Sequence, residues 1–265
     1  MINSLKEKFQ KMGAKLEIVP QTRRNTLMQV PVIIDVIEER GHERFQISLN
    51  TEMKDNVDLT VLEIKKEDRH LLLLSRRIND SGEIVKEHFL CGHDERHWFV
   101  AAVNPVSTVD AAKDSLKPEQ VRDQESGQNS KKRNRRKTPV FKRQGEWFFL
   151  PIEGEPKGLI RRDEPISRNG GSKAHIAQFA CRISGENVMV CRNFPNGVTE
   201  EEYARLIKAD PKIKGYNWQS RARVATVYAK GRISHPDHAT IVLDTWHQVL
   251  MNTERRSVRS VAFLD

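Results

Sequence analysis

The chain has 265 residues, 37% of them hydrophobic and 31% charged, with a formal net charge of +9. That is enough for one large or two ordinary domains around limited cores, and it excludes a membrane span: apolar runs such as Leu71 to Leu74 are only strand-sized. Three cysteines, Cys91, Cys181 and Cys191, are too few and too odd in number for a disulfide framework, and MINSLKEKFQ lacks the apolar core of a secretory signal. The expected setting is a reducing cytoplasm, or a nucleus if the host is eukaryotic.

Ser4-Leu5-Lys6-Glu7 has capping-box spacing, and Leu5, Phe9 and Met12 follow on one helical face that Gly13 closes. From Val30 the pattern turns to strands. Residues 31–37 and 45–49 flank a hairpin turn, 57–64 and 70–75 follow, and Asn79-Asp80-Ser81-Gly82 turns the chain into 84–90. Then comes FLCGHDERHWFVAAV, residues 89–103. It sets one cysteine, two histidines, two acids and an arginine between two apolar runs, with Gly92 to Arg96 as the expected turn. Ser107 to Asp110 caps a helix that presents Val109, Ala112 and Leu116 and stops at Pro118.

Residues 118–138 are poor in apolar side chains and read as a flexible linker. The second half resumes with the apolar strand 146–151. Residues 175–181 and 187–191 read as a hairpin around Ser184-Gly185-Glu186, and Thr199 to Glu202 is a second capping box for a helix ending at Asp210-Pro211. Strands over 224–233 and 240–243 flank the turn Ser234-His235-Pro236-Asp237-His238, and 246–250 closes the pattern. The expected fold is α+β: two mainly antiparallel-β domains with a few short helices, at 1–117 and 139–265, joined by a basic linker at 118–138.

The positive charge is local. Residues 131–143, KKRNRRKTPVFKR, hold eight basic side chains and no acid, whereas 1–130 sum to −3 and 144–265 to +4. A basic arm of this kind neutralises phosphates and releases counterions without reading sequence. Lys131, Lys132, Arg133, Arg135, Arg136, Lys137 and Arg143 are the expected nucleic-acid contacts, with Arg161 and Arg162 extending the path. Trp147, Phe148 and Phe149 could offer a stacking surface, but a fully apolar strand more often belongs to the core.

His235 and His238 in one tight turn, with His247 nine residues on, suit a divalent metal (Zn, Mn or Mg) with an open position for water. Asp237 or Asp244 would then orient a ligand or act as a base. Known nuclease and deaminase patterns fail at required residues: no lysine stands two positions after Asp244, Asn252 follows rather than separates the histidines, and Pro-Cys-x-x-Cys is absent. Cys91 with His93 is a weaker nucleophile pair, because strand neighbours two apart share a face. Cys181 and Cys191 read as buried thiols. These features lead to an expected nucleic-acid-associated protein, binding DNA or RNA through the basic arm and processing it if the histidines hold a metal. The competing expectation is a non-catalytic adaptor with a protein partner. Neither expectation involves a membrane.

Overall fold

The structure, a computed structural model, describes residues 2–21, 31–50, 57–79, 81–125, 133–167, 173–183, 185–223 and 226–254. The chain divides into two compact units. The first holds the described residues up to Arg122, with Arg133, Asn134, Thr253 and Glu254; the second holds Asp123–Glu125 and Arg135–Asn252. Among the described residues most of the architecture is antiparallel sheet, with four short α-helices. No helix among the described residues is long and apolar enough to cross a membrane.

In the first unit, helix α1 (Ile2–Lys11) buries Leu5 and Phe9, with Met12 just beyond it. The helix is already under way at Ile2, so Ser4 lies inside its first turn and not at the N-cap position that the expected capping box requires. Strands β1 (Leu16–Pro20), β2 (Val32–Glu39) and β3 (His42–Leu49) form a sheet ordered β1-β3-β2, in which β1 runs parallel to β3. Strands β4 (Val57–Lys65), β5 (His70–Ile78), β6 (Ile84–Asp94) and β7 (His97–Val103) form an antiparallel meander. The run Leu71 to Leu74 is explained by burial on both faces of this meander. Leu71 and Leu73 join Phe9, Phe45 and Cys91 in one core cluster, while Leu72 joins Leu90, Val109 and Ala112 in another. Helix α2 (Val109–Ser115) supplies that second cluster, capped by Thr108, whose hydroxyl accepts the Ala111 amide.

The segment expected as a flexible linker is structured where it is described. Helix α3 (Glu119–Gln124) buries Val121, and Glu125 is 1% exposed. Farther on, Lys137 bridges to Lys142 around a turn in which the Thr138 hydroxyl accepts the amides of Val140 and Phe141. Polar composition hid both features, because their order comes from a few capping contacts and single apolar anchors.

In the second unit, β8 (Lys142–Gln144), β9 (Trp147–Pro151), β10 (Ile160–Ile166), β11 (His175–Ile183) and, farther along the chain, β15 (Thr226–His235) and β16 (His238–Met251) form a six-stranded sheet ordered β10-β11-β15-β16-β9-β8. A smaller sheet joins β12 (Glu186–Cys191), β13 (Phe194–Thr199) and β14 (Gln219–Arg223), with helix α4 (Glu200–Ala209) leading to a 3-10 turn over Pro211–Gly215. The Thr199/Glu202 capping box of α4 forms as expected. The long hairpin β15 (Thr226–His235) and β16 (His238–Met251) completes the large sheet. Trp147, Phe149, Ile233, Leu243 and Val249 fill its core.

One sequence expectation changes here. Residues 175–181 and 187–191 do not pair with each other: β11 lies between β10 and β15, and β12 between β13 and β14. Cys181 and Cys191 therefore sit in different sheets. Strand β10 shows no apolar alternation because it is an edge strand with four exposed residues at its start, Ile160 to Asp163.

Candidate functional site

The end of the β15–β16 hairpin brings histidines together. His235 and His238 face each other across the turn, as register partners. His175 joins them at the first residue of β11, because its neighbour Ile176 pairs with Ser234. Ring centroids lie 4.2 Å apart for His175–His235, 4.7 Å for His235–His238 and 5.6 Å for His175–His238. One ring nitrogen from each of the three comes within 4.8 Å of the other two.

His175 is the unusual member. It is 1% exposed, and neither ring nitrogen meets a hydrogen-bond partner among the described residues. A buried polar group in that position costs about 1–3 kcal/mol. Desolvation, aided by the two neighbouring imidazoles, pushes its pKa down to about 3, which keeps the ring neutral. Burial also lowers His235, followed by the effect of His238. Trp147, whose ring lies 6.2 Å from His175, has an indole N–H without a hydrogen-bond partner among the described residues, and the buried Gln144 carbonyl oxygen has none among them either. The Gln144 amide nitrogen donates to the Ala239 carbonyl at 2.7 Å, which fixes this side chain beside the hairpin end. Gly145, at φ +57°, turns toward the site: a Cβ there would stand 2.9 Å from His238 Nε2.

His247, expected as the third ligand, does not join this group. It lies nine residues beyond His238 on the same continuous strand, roughly 30 Å along at ~3.4 Å per residue. Its Nδ1–H donates to the Thr245 carbonyl at 2.8 Å. The two acids are likewise apart. Asp237 accepts from Lys173 Nζ at 2.7 and 2.9 Å and donates its amide to His235 Nδ1. Asp244 is exposed and lies 3.1 Å from Lys142 Nζ, whose cation holds its carboxyl below the usual range.

The β6–β7 turn is shorter than its polar knot suggested, because β6 runs on to Asp94 and only Glu95 and Arg96 form the turn. Cys91 is fully buried among apolar side chains, and desolvation pushes its thiol far up, opposite to what a nucleophile needs. His93 packs its ring edgewise on Trp98, and burial lowers its pKa, with the Arg69 cation acting in the same direction. His97 Nδ1 bonds Glu43 Oε1 at 2.6 Å, and the Trp98 amide donates to Glu43 Oε2 at 2.8 Å. A groove of about 330 Å³ beside them is lined by Lys15, Glu38, His42, Arg96 and Trp98.

Of the basic run, Lys131 and Lys132 lie outside the described residues. Arg133 is engaged by Asp114 at 2.8 Å, while Arg135 and Lys137 are exposed. Arg136 and Arg143 are half-buried and adjacent, the Arg143 amide donating to the Arg136 carbonyl at 2.7 Å. Arg161 is exposed near Glu164, and Arg162 lies over the Phe179 ring. Trp147, Phe148 and Phe149 are core, at most 3% exposed. The structure gathers a different aromatic group on the small sheet. Phe194 and Tyr216 both stack with Trp218, at centroid distances of 5.4 and 6.4 Å, and Tyr203 meets it edge-on. Tyr216 is 37% exposed, and Arg192, Lys212 and Lys214 nearby in sequence are exposed too. The pattern Lys-x-Lys-x-Tyr-x-Trp at 212–218 was the available signal for this group.

Comparison with known proteins gives a local likeness. The chain is 34% identical over 83 residues to small ribosomal subunit protein uS4B of Bdellovibrio bacteriovorus. The match covers 31% of this chain and 38% of that protein, so well under half the length of this relative is spanned. No family model and no solved structure matches the chain.

Proposed function

We propose that this is a nucleic-acid-associated protein that holds phosphate backbone through the basic residues of 131–143. The observation that supports this reading most is the concentration of charge: eight basic side chains without an acid, in a chain whose flanking halves are close to balanced. Arg135 and Lys137 project from the surface there, with Arg136 and Arg143 beside them. Arg133 has a smaller role, because Asp114 already neutralises it. The local likeness to a small ribosomal subunit protein points the same way and favours RNA over DNA. Tyr216 and Trp218 add a place for unpaired bases to stack beside Lys212 and Lys214. Three buried free thiols suit a reducing compartment.

The reading stops at association. Asp237 is held by Lys173 and Asp244 by Lys142, so neither acid is set up as a base for strand cleavage.

The test is binding of labelled single- and double-stranded RNA and DNA across a salt series. The intact protein should bind single-stranded RNA with a log–log salt slope that falls by about one for each phosphate contact removed when Lys131, Lys132, Arg135, Arg136 and Lys137 become Ser. Tyr216→Ser should weaken binding roughly five- to tenfold at unchanged slope, the effect of one lost stacking contact. Absence of binding by the intact protein to all four ligands at physiological salt would end the reading.

A further inference from the structure

We infer that His175, His235 and His238 form a binding site for a divalent transition-metal ion, zinc in the first instance. Three observations lead there. The histidines come from three strand ends that the sheet register forces together, and their nearest ring nitrogens already lie within 4.8 Å of one another. Zinc holds donors at about 2.0–2.1 Å, hence roughly 3.3 Å from each other, and modest ring rotation covers the difference. Second, His175 is 1% exposed and stacked in the cluster, with neither ring nitrogen bonded among the described residues. Unpaired polar groups at one buried spot call for a bound partner. Third, His235 Nε2 is 3.2 Å from the Lys173 carbonyl. Metal-binding imidazoles use that contact to fix their tautomer. Nδ1, which takes only a 3.1 Å bond from the Asp237 amide, is then the nitrogen that turns to the ion.

The donor set selects the metal. Three imidazoles and no carboxylate suit zinc, cobalt, nickel or copper, whereas magnesium requires oxygen ligands. Three protein ligands leave a fourth position for water or an oxygen of a bound molecule. This inference does not depend on the nucleic-acid reading.

The experiment uses the full chain without a polyhistidine tag, stripped with chelator and dialysed, then titrated with Zn²⁺ and separately with Co²⁺. Elemental analysis and the visible spectrum of cobalt are the readouts. The expected result is about one ion per chain in the intact protein and in His247→Ala. His235→Ala and His238→Ala should each lower affinity at least roughly tenfold and abolish the cobalt spectrum. His175→Phe, which keeps the buried ring volume, should do the same, and circular dichroism in metal-free buffer checks that each variant folds. Fewer than about 0.1 equivalents of either ion in the folded intact protein would overturn the inference. So would variants of His235 and His238 that bind as tightly as the intact protein.

Discussion

The two histidine-bearing turns look alike in sequence and differ in how their polar atoms are satisfied. At the β6–β7 turn, His97 and the Trp98 amide both bond Glu43, Arg69 covers the Trp98 ring at 4.4 Å, and His93 packs edgewise on the same ring. Glu43 comes from β3, so the polar groups of this turn stitch one sheet to the other. At the β15–β16 turn, His235 and His238 stack with a third ring, His175, whose nitrogens bond nothing among the described residues. Density of titratable residues is therefore a poor guide to a site. The difference between the turns is that the fold supplies partners to His97 and the Trp98 amide and, among the described residues, none to His175.

The largest test of this contrast removes the support beneath the first turn. Phe45 is fully buried and touches both Phe9 and Trp98, so Phe45→Ala should cost about 3–5 kcal/mol in urea unfolding. A cost under about 1 kcal/mol would mean that Trp98 does not rest on a shared core. At the second turn, zinc at a hundred times its dissociation constant should stabilise the intact protein by about 2.7 kcal/mol, seen as a raised thermal midpoint that chelator reverses. Glu43→Ala leaves the Trp98 amide and His97 without their acceptor and should cost about 1–3 kcal/mol. If zinc addition changed the midpoint of the His235→Ala variant as much as that of the intact protein, the contrast between the turns would fail.

Smaller effects sharpen the picture. Burial lowers the pKa of His93 and His247 in the folded state, so these rings take up protons at lower pH than they do in the unfolded chain, where the pKa is about 6.5. As pH falls below that value the unfolded chain binds more protons, and stability declines until the folded-state pKa values are passed. His93→Gln with His247→Gln should flatten the fall in unfolding free energy between pH 7 and pH 5.5; an unchanged slope would refute the assignment. The least effect is expected from Asp244→Asn. That carboxylate is exposed, and its pair with Lys142 is screened by solvent, so the thermal midpoint should not move measurably.

Local features were legible in the residues. The apolar face Leu5, Phe9, Met12 marks α1, Thr199 caps α4 as expected, α2 starts within the expected segment Ser107 to Asp110 with Thr108 as its cap, and the alternating runs mark most strands. The same reading missed β1, β8, β10, β13 and β14, which are short or show no alternation, and paired β11 with β12 because a glycine lay between them. At the histidine site, His235 and His238 were visible because a hairpin turn fixes their separation locally. His175 was invisible: sixty residues separate it from His235, and only the β11–β15 register makes them neighbours.

By itself, the sequence determined the mainly antiparallel α+β character, the apolar face of the strands that alternate, the capping box of α4 and the single basic run. These depend on side-chain period, capping chemistry and formal charge, which act within a few residues. Only the tertiary structure decided that His175 replaces His247 beside His235 and His238, that Glu43 answers His97, and that Arg133 is neutralised by Asp114. Those pairings join distant parts of the chain, and strand order and register, not proximity in sequence, set which side chains meet.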